Sequence, residues 1–137
     1  HGRSLVSIQA VAPEEVVHCG ILYGQWEDTE QTVLQVERMY EKPTQDYAVE
    51  CLGVYNARNE KEYYAVFGQY VLTPDVFEEL ENNIREDRRS QGEYQLTDAL
   101  DTVREKHGLY GFKPNGKSYD IGLPETYRKT MYEFGQH

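Results

Sequence analysis

Residues 63–77 read Tyr63-Tyr64-Ala65-Val66-Phe67-Gly68-Gln69-Tyr70-Val71-Leu72-Thr73-Pro74-Asp75-Val76-Phe77. The first ten are rich in β-branched and aromatic side chains around one glycine, which predicts a strand over Tyr63–Leu72. A glycine inside such a strand often marks a close approach of the backbone to something else. Thr73-Pro74-Asp75 then supplies a cap hydroxyl, a proline suited to a first turn, and a carboxylate for the positive end of a helix. Val76, Phe77, Leu80 and Ile84 follow at helical spacing, so a helix with one buried face runs to about Ile84. A strand delivered directly into a capped helix points to an α/β chain.

The flanking sequence extends this pattern in both directions. Upstream, Leu5–Val11 puts Val6, Ile8 and Ala10 on one face of a strand. Pro13-Glu14-Glu15-Val16 has the make-up of a short helical turn. Gly20–Gly24 reads as a short buried strand, Trp26–Thr32 as a polar turn, and Val33–Tyr40 as another strand, stopped by Pro43. From Thr44 to Lys61 the pattern is weak and predicts a loop with at most a short hairpin. Downstream, Arg85–Gln91 is a charged loop, and Leu96, Ala99, Leu100 and Val103 form the stripe of a second helix that Gly108 ends. Leu109–Phe112 and Lys117–Asp120 flank Pro114-Asn115-Gly116, which predicts a hairpin on an Asn-Gly turn. Pro124 opens a last helix with Tyr127, Met131 and Phe134 on one face. There is no repeat, low-complexity tract or linker, so residues 1–137 read as a single domain. Its strand-rich start predicts a sheet that is not self-contained, and an uncovered edge of that kind predicts a homo-oligomer rather than a free monomer.

Lys and Arg number 14 against 24 Asp and Glu, for a net charge of −10. Nucleic acid and anionic membranes would both be repelled, so neither is an expected partner. No stretch has the apolar length of a bilayer span or the layout of a signal peptide. Cys19 and Cys51 stand far apart without a CxxC spacing, which suits reduced thiols and a cytoplasmic location. The four histidines are scattered singly, and none is given a catalytic role.

Three stretches have residue types suited to binding chemistry. Glu41-Lys42-Pro43 ends a strand: a carboxylate can accept hydrogen bonds from two vicinal sugar hydroxyls, and the neighbouring ammonium is a compact charge for a phosphate. Alone, the pair reads as a solvated ion pair. Tyr119-Asp120-Ile121-Gly122 places an acid at a strand end before a helix, where ligand sites of open α/β sheets gather and where a carboxylate suits Mg²⁺ carrying substrate phosphates. The plain alternative is a helix-capping carboxylate. In Gly92-Glu93-Tyr94-Gln95-Leu96-Thr97-Asp98-Ala99-Leu100, a helix cap with acids in the first turn accounts for Thr97 and Asp98. It accounts poorly for Glu93 and Gln95.

The order of these stretches is more telling than any one of them. Glu-Lys-Pro is followed by Phe-Gly-Gln-Tyr-Val-Leu-Thr-Pro-Asp-Val-Phe, then Gly-Glu-Tyr-Gln-Leu-Thr-Asp-Ala-Leu, then Gly-Lys-Ser-Tyr-Asp-Ile-Gly. That series, from about Leu5 to Gly135 and most specific over Gly68–Leu100, resembles the second half of bacterial UTP–glucose-1-phosphate uridylyltransferases, a branch of the sugar nucleotidyltransferases. The resemblance implies the C-terminal part of a Rossmann-like nucleotidyltransferase, with a mixed β-sheet and flanking helices. It also implies that Glu41 holds sugar hydroxyls and Lys42 contacts the phosphate of glucose 1-phosphate as the catalytic side chain. Gly20 would offer its backbone N–H to the sugar, Asp120 would bind the catalytic Mg²⁺, and Glu93 and Gln95 would help shape the site. The implied substrates of the complete enzyme are UTP and glucose 1-phosphate, giving UDP-glucose and pyrophosphate.

The chain also departs from that pattern. Cys19 stands where the family has tyrosine, residues 44–63 are longer than the usual loop, and Tyr63-Tyr64 replaces an Asn-Leu pair whose amide is a natural hydroxyl partner. The Gly-x-Gly-Thr-Arg loop that cradles a triphosphate is not in this sequence, so the resemblance implies half an active site and a chain that is silent alone. Two alternatives stay open: a relative using another base, such as a thymidylyltransferase, and a non-catalytic interaction module on the same fold.

Overall fold

The computed structural model describes residues 2–90, 92–116, 119, 121–122 and 124–135. In chain order the elements are β1 (Ser4–Val11), a 3-10 turn (Val16–His18), β2 (Gly20–Trp26), β3 (Val33–Glu41), α1 (Gln45–Cys51), β4 (Val54–Tyr55), β5 (Lys61–Val71), α2 (Pro74–Arg85), α3 (Leu96–His107), β6 (Leu109–Phe112) and α4 (Pro124–Phe134). The mixed α/β class expected from the sequence is the one observed.

The strands close on themselves. β1 lies parallel to β6 and antiparallel to β5, β6 pairs with β3, β3 with β2, and β2 with β5. Two-residue β4 attaches to the start of β5. Among the described residues, each strand of the five-membered ring therefore has a partner on both sides for at least part of its length. The ring closes over part of its length only: β6 reaches β3 at Val33–Gln35 and β5 reaches β2 at Ile21 and Leu22, so the expected incomplete sheet is narrowed to the remaining stretches.

Long β5 makes the closure possible. Its first half pairs with β2 through Ile21↔Ala65 and Leu22↔Tyr64, and it continues beside β1 as far as Val71. Between Ile8↔Val66 and Val6↔Tyr70 the ladder slips, and Gly68 sits in the slip with φ +73. A Cβ there would meet nothing within 4 Å, so the glycine serves the backbone turn and not the close approach expected.

Alternation along the strands feeds two cores. Val6, Ile8, Leu22, Leu34 and Tyr64 pack with Val76 of α2 and Ala99, Leu100 and Val103 of α3. Ile21, Tyr63 and Ala65 pack with Val16, Ala48 and Leu52. The second cluster needs α1, where a loop was predicted. Thr44 caps that helix by accepting from the Tyr47 N–H at 3.3 Å, and Asp46 lies in its first turn. The expected hairpin survives as the β4–β5 pairing of Val54↔Glu62 and Tyr55↔Lys61.

Four further expectations are adjusted. Ala10 is exposed on the wall of a cleft instead of sharing the buried face of Val6 and Ile8. On α2 the buried side chains are Val76, Glu79 and Asn83, while Phe77 and Ile84 are 60% and 57% exposed. On that face Val76 packs against α3, and Glu79 ion-pairs with Lys106 of α3, which satisfies the buried carboxylate. α4 carries Tyr127, Met131 and Phe134 as foreseen but buries no residue; the Phe134 ring meets Tyr119 edge-on at 5.9 Å. Finally, β6 has β1 on one side and β3 on the other; the second arm of the predicted hairpin, residues 117–120, lies outside the described residues apart from Tyr119. Both cysteines are free thiols, as expected. No helix among the described residues is long and apolar enough to cross a membrane.

Candidate functional site

Glu41 is the last residue of β3 and sits opposite Gly20, the first residue of β2. Paired residues share a face, so the glutamate side chain lies over the glycine. A Cβ added at Gly20 would stand 2.9 Å from Glu41 Oε2, too close for any carbon. The glycine thus makes room for the carboxylate.

The same oxygen is held from the other side. α3 starts at Leu96 with Gln95 as its cap residue and no side-chain capping bond. Thr97 is therefore inside the first turn and not the cap it was predicted to be, and its hydroxyl donates to Glu41 Oε2 at 2.8 Å. Among the described residues no other hydrogen bond reaches this carboxylate, which leaves Oε1 free to accept. The positive end of α3 also lies beside the negative charge.

Around Glu41 opens a pocket of about 240 Å³ lined by Met39, Tyr40, Glu41, Ser90, Thr97, Asp98 and Asp101. Its polar side chains are three carboxylates and three hydroxyls, a surface suited to a ligand's hydroxyls and hostile to its anions. The neighbours register that charge. Burial, Asp101 and Glu41 raise Asp98 above the usual aspartate range. Burial pushes the Cys19 thiol up, helped by Glu15 and Glu41, so it is a poor nucleophile. Burial and Glu41 likewise raise the Tyr70 phenol.

Lys42 follows directly but does not line this pocket. It is exposed, and its N–H donates to the Cys19 carbonyl at 2.9 Å. Its φ of +48 is left-handed, a costly state for a side-chain-bearing residue and one held here by that bond and by buried Pro43. Such strain runs to ~1–3 kcal/mol and tends to persist at functional positions. Glu93 is exposed and Gln95 half-buried, and neither lines the pocket. Glu93 acts through its backbone, which exchanges two hydrogen bonds with Ser90 (2.9 and 3.1 Å) and so presents Ser90 to the pocket. Asp120, the expected metal ligand, lies outside the described residues.

A second, larger cleft of about 780 Å³ lies at the C-terminal ends of the parallel strands β1 and β6, bounded by Gln9, Phe67, Gln69, Lys113 and Asn115. Gln9 Oε1 is buried there with no donor among the described residues. Sequence reasoning missed this cleft because its walls come from three separated segments with no shared motif.

The chain is a mixed α/β domain that carries a clamped carboxylate and, next to it, a lysine in a left-handed conformation at one strand end. More particularly, the nucleotidyl transferase family model matches residues 8–136, and the chain belongs to that family. It is 33% identical over 124 residues to a UTP–glucose-1-phosphate uridylyltransferase of Pseudomonas aeruginosa, covering 90% of this chain and 38% of that protein. A counterpart in Staphylococcus saprophyticus is 30% identical over 133 residues, with 97% and 40% covered. The crystal structure of an apo UDP-glucose pyrophosphorylase superposes with a TM-score of 0.75 at 32% identity, covering 98% of this chain and 43% of that one. A UDP-glucose pyrophosphorylase complexed with UDP-glucose gives a TM-score of 0.73 at 31% identity, with 98% and 44% covered. The chain thus spans about two fifths of the length of the relatives it matches.

Proposed function

We propose that the chain is the sugar-phosphate-binding part of a UTP–glucose-1-phosphate uridylyltransferase. The observation that carries this reading is Glu41, held by Thr97 over Gly20 with one oxygen free, in a pocket whose groups suit hydroxyls, and followed immediately by a cation. Glu41 accepts hydroxyls of the glucose ring, Gly20 adds its backbone N–H, and exposed Lys42 meets the phosphate outside the acidic pocket. In the complete enzyme a phosphate oxygen of glucose 1-phosphate attacks the α-phosphorus of UTP. One P–O bond forms there, and the bond to the departing pyrophosphate breaks. Lys42 orients the attacking phosphate and offsets its charge, the kind of positioning and neutralisation on which such transfers depend.

Asp120 is the residue that would hold Mg²⁺. Its carboxylate is of the donor type that magnesium takes, one or two at a time, beside several waters and substrate phosphates. When bound, the ion supplies charge neutralisation at the phosphates.

The reading includes a cytosolic location, where Cys19 and Cys51 stay reduced. It also includes a homo-oligomer. Besides the part-covered strands, the support for that assembly is the exposed Tyr127, Met131 and Phe134 of α4.

A pyrophosphate-release assay tests the reading. The full-length parent is expected to release pyrophosphate from UTP and glucose 1-phosphate with Mg²⁺, and the 137-residue chain to release none. No release from the parent would favour an interaction module built on this fold, and turnover by the chain alone would refute the division of the site.

A further inference from the structure

We infer that Thr97 is a positioning residue for Glu41, fixing the orientation in which its carboxylate faces the sugar. This deepens the sugar-phosphate reading above and rests on it. Three observations converge on a single atom. Thr97 donates to Oε2 at 2.8 Å across 56 residues of chain. The space beneath Oε2 exists because residue 20 has no side chain. The hydroxyl is not used for capping, since Gln95 is the cap residue and Thr97 lies within α3.

A glutamate at a strand end has freely turning terminal torsions, and this one is surrounded by like charge from Asp98 and Asp101. Repulsion would turn it away from them. The threonine hydroxyl counters this, fixing Oε2 and leaving the lone pairs of Oε1 aimed at a ligand. Fixing the acceptor before the ligand arrives removes an ordering cost from binding. Its loss should appear in sugar-phosphate affinity and not in the nucleotide. Asp98 and Asp101 have a complementary part: they keep the pocket closed to the phosphate end, so the ligand enters sugar first.

The test uses the full-length parent with Thr97→Val, which keeps the shape and removes the hydroxyl, and Thr97→Ser, which keeps the hydroxyl. For Thr97→Val the KM for glucose 1-phosphate is expected to rise about tenfold, as for one hydrogen bond to a charged group. The KM for UTP and the melting temperature should stay as in the unaltered protein, and Thr97→Ser should behave almost normally. Glu41→Ala separates the two levels of the argument. If Glu41→Ala is crippled in sugar-phosphate use while Thr97→Val is normal, only the positioning role fails. If Glu41→Ala is also normal, the sugar-site reading fails and the positioning role with it. A Thr97→Val protein that melts early and loses both substrates equally would mark Thr97 as a structural residue, which also overturns the inference.

Discussion

Lys42→Ala is expected to lower turnover of the full-length protein by roughly 10²–10³-fold, the usual cost of removing one preorganised group that meets developing charge. Its melting temperature should stay within about 2 °C of the original, because exposed substitutions of this sort rarely move stability by more than a few tenths of a kcal/mol. The separation follows from geometry. Lys42 is exposed, and its one recorded hydrogen bond runs through the backbone N–H to Cys19, which alanine keeps. What alanine loses is the ammonium beside the pocket. Steady-state assays with both substrates, together with a thermal melt, check it. Near-normal turnover would remove Lys42 from the mechanism.

Tyr64→Ala is expected to act in the opposite way, on the fold. Tyr64 is the largest wholly buried side chain, it packs edge-on against Trp26 at 5.2 Å, and its hydroxyl donates to Glu62. Lys113 lies 5.7 Å from its ring centre and 5.1 Å from that of Trp26. Burial and then Glu62 hold the phenol protonated well above the ordinary tyrosine range. Glu62 itself stays below the usual range, because the bonds from Tyr64 and Asn56 outweigh its burial. Truncating an aromatic side chain at such a site costs about 3–5 kcal/mol. That is a large part of the ~5–15 kcal/mol that stabilises an ordinary domain. Urea denaturation of the chain should show the midpoint falling by more than half or the transition disappearing, with a milder loss for Tyr64→Phe. An unchanged midpoint for Tyr64→Ala would mean that the ring of strands does not depend on this core.

The order of strands and the two longest helices could be read directly from the sequence, because each combined a periodic apolar pattern with its own stop or cap. α1 was missed although its signals were present: Thr44 as cap, Asp46 in the first turn, Ala48 and Leu52 four apart, and Gly53 after the end. Seven residues give too short a stripe to stand out from a loop. Closure of the strands could not be read at all, since it depends on β5 taking β2 on one side and β1 on the other, and pairing is a property of two segments at once. For α2 the apolar spacing named Phe77 and Ile84, but the face that meets α3 carries Val76 and Glu79, the latter paired with Lys106. Spacing within one helix carries no information about a partner on another.

The same limit explains the site. Glu41 and Lys42 were singled out by a short motif and Gly20 only by the resemblance; register places Glu41 on Gly20. Thr97 was read as a cap because local sequence offers no hint of a carboxylate 56 residues away. The Tyr63-Tyr64 pair, which seemed a departure bearing on sugar choice, turns out to be core on both faces of β5.

The most direct measurement is a calorimetric titration of the 137-residue chain with glucose 1-phosphate, alongside its Lys42→Ala variant. With the strands closed and Glu41 already clamped, the chain is expected to bind weakly, and Lys42→Ala to abolish the heat of binding. No heat from the unaltered chain at millimolar ligand, or equal binding by both proteins, would contradict a sugar-phosphate site built from Glu41 and Lys42.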